Sequence, residues 1–283
     1  MRMRKDFLVV LALASHLGAC LCLGGCEGDD PGTEPGTEPG PGPGTGTGTE
    51  VQAGKVTGVV QDTQGRPIAG AKVRIENDFG YYDVTTDANG RYVSPSLVLG
   101  GFKAIAWADV NYQGKSYKLR MGMPNPADYD FFDSKQGAVR NFRWQLSGRI
   151  PDRVADGSTG YFGGTLESLN GTGSIYDARM DAGDTVNLTL KPTAPLIDGS
   201  TGQTLTRSFT IRSGNDTYYA LDIPVGVYEV TAERVTPSGA REQILVGSFS
   251  RQGTSATVSF EPSSAYSYES GLRSTSLYLV LNR

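Results

Sequence analysis

The chain has 283 residues, with 26 Lys and Arg against 30 Asp and Glu, and a formal net charge of −4. A surface of that sign offers no basic footprint for a phosphate backbone, which argues against a nucleic-acid partner. All three cysteines (Cys20, Cys22, Cys26) and the only histidine, His16, lie in the first 26 residues; once the segment before Cys26 is removed, no Ser-His-Asp or Cys-His catalysis, disulfide framework or Cys/His metal site is available, so no catalytic residue, cofactor or metal is expected.

Residues 1–25 read as an address. Arg2, Arg4 and Lys5 precede the apolar run FLVVLALA (7–14), and small residues follow. This is the charged, apolar and small-residue order of a secretory signal, and the run is too short to span a bilayer comfortably. Leu23-Gly24-Gly25-Cys26 resembles the lipobox of bacterial lipoproteins, in which the cysteine sulfur takes a diacylglycerol; Leu17-Gly18-Ala19-Cys20 fits the same pattern. Cys26 is preferred as the lipidated residue because a linker begins directly after it. The resemblance implies a membrane-held protein of a Gram-negative envelope, at the outer membrane, facing either the cell surface or the periplasm. Glu27, Asp29 and Asp30 resemble an outward-export signal of some lineages, and equally the start of a solvated linker.

Residues 26–53 hold that linker, PGTEPGTEPGPGPGTGTGTE (31–50). It has no apolar side chain to bury and so cannot offset the entropy of ordering; Pro extends it, and it reads as a stalk. From residue 54 the pattern changes. KVTGVVQD (55–62) is a β-branched alternating strand, TQGRP (63–67) a turn, and AKVRIEN (71–77) alternates with Val73 and Ile75 on one face. DANG (87–90) is a tight turn with a hairpin signal between YYDVTT and RYV, and GFKAIAWA (101–108) is a further strand. Helical periodicity is missing, and short strands at close spacing argue for an antiparallel sandwich.

Four of these stretches carry a family resemblance: Gly58-Val59-Val60; Gly65-Arg66-Pro67-Ile68-Ala69-Gly70-Ala71-Lys72-Val73; Thr86-Asp87-Ala88-Asn89-Gly90-Arg91-Tyr92; and Leu97-Val98-Leu99-Gly100-Gly101-Phe102. Together they resemble the carboxypeptidase regulatory-like domain, over residues 54–122. The resemblance implies a seven-stranded transthyretin-like (prealbumin-like) β-sandwich used as an accessory or binding module, without peptidase activity. Lys55 matches the donor position of an isopeptide in related stalk domains, but no acid-bearing last strand is evident, so it reads as a surface lysine.

Residues 123–140 read as a connector. NFRWQL (141–146), TVNLTLKPT (185–193), LTRSFTIRS (205–213), YYALDI (218–223), VYEVTAERV (227–235), REQILVGSF (241–249), ATVSFEP (256–262) and TSLYLVLN (275–282) read as strands of a second sandwich, 141–283. Ile223, Gly226, Tyr228, Val230 and Ala232 repeat the spacing of Leu97, Gly100, Phe102, Ala104 and Ala106, which suggests a second module of the same type, although the Gly-x-Pro turn has no counterpart. The expected fold is therefore all-β: two tandem antiparallel sandwiches after a linker. The alternative is one enlarged sandwich with the connector packed onto it.

Tyr112, Tyr117, Tyr129, Phe131 and Phe132 gather near the boundary with polar neighbours and are candidates for ligand contact, since aromatic faces serve both sugars and protein interfaces; Trp107 and Tyr117 also suit a core. Asp152 and Asp156 share a Gly/Ser loop without calcium-binding spacing and read as a solvated turn. The expected function is non-enzymatic: an envelope-anchored lipoprotein presenting β-sandwich modules to a glycan or an envelope protein. Alternatives are an assembly subunit docking through an edge strand and, more remotely, a carboxylate-dependent glycan hydrolase.

Overall fold

The computed structural model describes residues 50–153, 160–173, 178–262, 273–274 and 276–282. The lipidation assignment to Cys26 or Cys20 and the stalk through residue 49 lie outside the described residues. From β1 (Val56–Gln61) the chain continues through β2 (Lys72–Asn77), β3 (Gly80–Thr85), β4 (Arg91–Val93), β5 (Gly101–Tyr112) and β6 (Lys115–Met121). A 3-10 turn, Pro126–Tyr129, leads to β7 (Phe132–Asp133), β8 (Ala138–Val139) and β9 (Phe142–Arg143). Alternation sets the inward face: Val73 and Ile75 of β2 and Ala104 and Ala106 of β5 are buried in register against one another. One sheet runs β3-β2-β5-β6, with β7 on β5. The other carries β4 on one side of β1, and β8 then β9 on the opposite side, both parallel to it. This is the two-sheet sandwich that the first half of the sequence implies.

Gly58 and Tyr92 of that half have a packing reason. Gly58 and Tyr92 are cross-strand partners, and a Cβ on Gly58 would lie 1.9 Å from the Arg140 carbonyl oxygen. That carbonyl accepts 2.7 Å from the buried Tyr92 hydroxyl. The β8–β9 break falls at this point, where Asn141 Oδ1 takes the Val59 amide in place of a backbone carbonyl. At the far end of β1, the carbonyl oxygen of Gly90 (φ +69) accepts from the Val60 amide at 2.8 Å.

Three expectations need correction. The turn at 87–90 is not a hairpin: β3 and β4 lie in different sheets, and the Val60–Gly90 bond ties β4 to β1. Phe142–Arg143 does not open a second sandwich. It pairs with Val60 and Gln61 because Phe142 is buried against Tyr92, with ring centroids 6.2 Å apart. Residues 123–140 are more than a connector, since β7 and β8 are strands of the first sandwich.

The second strand set comprises β10 (Gly164–Asn170), β11 (Thr185–Pro192), β12 (Leu205–Thr210), β13 (Thr217–Ile223), β14 (Val227–Val235), β15 (Arg241–Ser248), β16 (Arg251–Gly253), β17 (Ala256–Glu261), β18 (Arg273–Ser274) and β19 (Leu277–Val280). Its pairings repeat those of the first set. β10 pairs β13 antiparallel and β19 parallel, as β1 pairs β4 and β8. β11 lies between β12 and β14, and β14 pairs β15, as β2 lies between β3 and β5, and β5 pairs β6. The register agrees too: Leu188 and Leu190 face Ala232 and Val230 as Val73 and Ile75 face Ala106 and Ala104. The spacing around Gly226 and Tyr228 therefore marks an equivalent strand, even though the Gly-x-Pro turn is missing. β15 leaves β14 at Ile244 and joins β19 from Leu245, and β18 bridges β17 to β10, so the two sheets meet at both sides.

The described residues, from Glu50 onward, fall within one compact unit. The two strand sets meet along β6 and the β5–β6 turn. Tyr117 Oη donates 2.7 Å to the Phe260 carbonyl, Tyr112 Oη donates 2.8 Å to the Pro195 carbonyl, Thr63 Oγ1 donates 2.8 Å to Asp198, and Lys115 pairs with Glu261. Among the described residues no helix is long and apolar enough to cross a membrane.

Candidate functional site

The aromatic residues singled out in the sequence do not form one surface. Tyr117 is buried in the seam, and Tyr112 is half-buried beside it at 6.3 Å between ring centroids. Tyr129 is buried with its hydroxyl accepting from the Met123 amide, and Phe132 is buried against Phe102. Only Phe131, 60% exposed, faces solvent. Adjacent strand residues point to opposite faces, which separates Phe131 from Phe132. Trp107 is buried, but on the face of β5 opposite Ala106, under the Arg74 guanidinium rather than in the sandwich core. Asp152 serves a structural purpose: its carboxylate holds the buried Arg120 guanidinium at 2.7 Å. Asp156 lies outside the described residues.

The exposed apolar surface gathers at the other end of the first sandwich. Asn77 Oδ1 accepts from the Phe79 and Gly80 amides at 3.0 and 3.1 Å, closing the β2–β3 turn and lifting Phe79 to its apex. Phe79 is 98% exposed and Leu99, in the β4–β5 loop, 81%. Val98 and Tyr81 are also exposed, and Arg74 lies 3.9 Å over the Tyr81 ring while binding Asp83 through two bonds. Between β3 and the 98–99 loop these side chains line a cleft of about 410 Å³, with Tyr82 and the buried Phe102 also on its wall. β3 is the last strand of its sheet, so its free edge borders the cleft.

Buried Ser134 fixes the 98–99 loop. Its hydroxyl donates to the Val98 carbonyl and accepts from the Gly100 amide, while its carbonyl accepts from the Gly54 amide. Gly54 in turn accepts from the Leu97 amide at 2.8 Å. The point where residues 50–54 enter the sandwich thus sits against the loop that bears Leu99. Phe79 was missed in the sequence because NDFGYY merges with flanking strand pattern; an apolar residue following Asn-Asp at a turn was the available signal.

Exposed apolar patches of this kind mark interaction surfaces. The cleft is walled mainly by aromatic and aliphatic side chains, with Asn77 and Gly80 at the turn.

Residues 55–131 match the carboxypeptidase regulatory-like domain family. That domain is non-catalytic and regulatory in kind, and the match runs from β1 through the 3-10 turn. No curated protein matches the chain. Among solved structures, a DUF3823 family protein from Bacteroides ovatus ATCC 8483 is 11% identical, with 73% of this chain and 98% of that chain covered and a TM-score of 0.21. The Bacillus anthracis TIE protein is 9% identical, with 80% of this chain and 43% of that chain covered and a TM-score of 0.27.

Proposed function

We propose that the chain is a non-enzymatic, lipid-anchored protein of a bacterial outer membrane. It docks another envelope protein through the cleft between the β3 edge and the 98–99 loop. The occupant is an extended segment that adds to the free edge of β3 and drops an apolar side chain between Phe79, Tyr81 and Leu99. Backbone pairing supplies affinity in such docking and the side-chain pocket supplies selectivity. The observation that carries the reading is the position of this apolar end: it sits where the chain arrives from residues 1–49, which hold Cys26 and the Pro/Gly/Thr/Glu run. A cleft on the tethered end is presented to proteins held in the same membrane.

The anchor is tested by fractionating cells that carry Cys26→Ala, and by protease shaving of the wild type. The reading expects loss of membrane retention in the variant; retention would send the lipidation to Cys20. The cleft is tested by co-purification from detergent-solubilised membranes. A stoichiometric membrane-protein partner should be lost with Phe79→Ser/Leu99→Ser. A partner retained by that variant would remove the cleft from the interface.

A further inference from the structure

A second groove lies at the opposite end of the first sandwich. β1 starts beside Gly54 and ends at Gln61, whose carbonyl accepts 2.8 Å from the Trp144 amide. Six residues of strand separate the two ends by roughly 20 Å. There Trp144 packs one side against the core and lines a groove of about 470 Å³ with Thr63, Pro124, Arg143, Gln145, Leu146 and Ser147.

The polar groups of this groove are held in place yet remain open. Arg143 Nη2 donates 2.7 Å to the Thr63 carbonyl, and the Thr63 hydroxyl is held by Asp198 across the seam. Arg143 makes no ion pair among the described residues. Gln145 packs its amide onto Gly122, where an added Cβ would come within 2.4 Å of Nε2. Neither that amide nor the Trp144 indole N–H has a hydrogen-bond partner among the described residues.

We infer that this groove is a saccharide-binding site, and that the sugar it takes bears a carboxylate. A pyranose ring offers an apolar C–H face to an indole and a polar rim to fixed donors and acceptors. The groove supplies the indole, an amide that both donates and accepts, and hydroxyls. Arg143 adds a planar guanidinium anchored through one nitrogen, with its other N–H groups left to meet a carboxylate. The inference rests on the reading of the chain as a binding protein, and on neither the lipid anchor nor the Phe79 cleft.

The test is titration of the purified full protein with polygalacturonate, alginate, hyaluronan and glucuronoxylan, and with neutral galactan and xylan, followed by tryptophan emission and affinity electrophoresis. Trp107 and Trp144 are the only tryptophans, and Trp107 is buried, so an emission change that Trp144→Phe abolishes reports the groove. At least one acidic polymer should bind more tightly than its neutral counterpart. Trp144→Ala should weaken it roughly tenfold or more, as expected for a central aromatic anchor. The exposed Arg143→Met change, which leaves the core intact, should bring acidic and neutral polymers to similar affinity. Failure of every polymer to bind overturns the site, as does binding that survives Trp144→Ala or is lost instead with Phe79→Ser. Binding in which Arg143→Met changes nothing overturns the carboxylate preference.

Discussion

The Tyr117 hydroxyl, carried on β6 of the first sandwich, donates a 2.7 Å hydrogen bond to the Phe260 carbonyl on β17 of the second. Both residues are buried. This bond joins the two strand sets at the middle of their seam, flanked by Tyr112–Pro195 and Lys115–Glu261. Tyr117→Phe keeps the ring and leaves the Phe260 carbonyl without its donor. Chemical unfolding should show a loss of about 1–2 kcal/mol, with no change in the far-ultraviolet strand signal.

The same seam should weaken at both extremes of pH. Burial, then the nearby Glu261 carboxylate, raises the Tyr117 hydroxyl above its ordinary value. The neutral form is favoured in the folded state, so its contribution is fully present below the unfolded value of about 10 and is lost as pH rises through the folded one. At Asp198 burial pushes the carboxyl up, but hydrogen bonds from Ser200 and Thr63 outweigh it and hold the value below the usual range. Its contribution is present above about 3.9 and is lost as pH falls through the lower folded value. Thermal midpoints of wild type and Tyr117→Phe should converge above pH 10, and those of wild type and Asp198→Asn should converge in strong acid. Differences that stay constant with pH would contradict both assignments.

Gly58→Ala should be among the most damaging small changes in the first sandwich. The new methyl would meet the Arg140 carbonyl oxygen, a backbone atom pinned by the Tyr92 hydroxyl. Relief requires β1 and the β8–β9 break to part, at a cost of about 3 kcal/mol. Denaturant melts would register it; a loss below about 0.5 kcal/mol would mean that Arg140 moves freely.

Phe79→Ser and Leu99→Ser should behave in the opposite way. Both side chains stand in solvent, so stability should stay within about 0.5 kcal/mol of wild type while solubility rises. A large destabilisation would show that the two residues pack within the fold rather than serving a partner.

The fold was legible in the sequence wherever a residue pattern carried backbone geometry. Val73 and Ile75 alternate because β2 has one buried face, and Gly90 marks the positive-φ turn that hands the chain from one sheet to the other. The repeat around Gly226 and Tyr228 located the strand equivalent to β5, but the pairing of β10 with β19 is a long-range parallel contact that no local pattern encodes. Segment edges were harder. Phe142 looked like the opening of a new strand set because its partner, Val60, lies more than eighty residues earlier. Site residues were the least legible. Tyr112, Tyr117, Tyr129, Phe131 and Phe132 share a composition but not a surface, since burial is decided by strand parity and by what packs on β6. Phe79 and Trp144 drew no notice because each sits in an ordinary-looking apolar stretch. Phe79 is lifted into solvent by the turn at Asn77, and Trp144 is only partly buried against the core.

The measurement that tests the account most directly is in-cell photo-cross-linking from position 79. A photoreactive amino acid in place of Phe79 should give one discrete adduct with a membrane protein in intact cells. The adduct should vanish with Leu99→Ser and with Cys26→Ala, and should not form from the exposed Phe249, between β15 and β16 of the second strand set. No adduct at position 79, or the same adduct from both positions, would contradict docking through the tethered end.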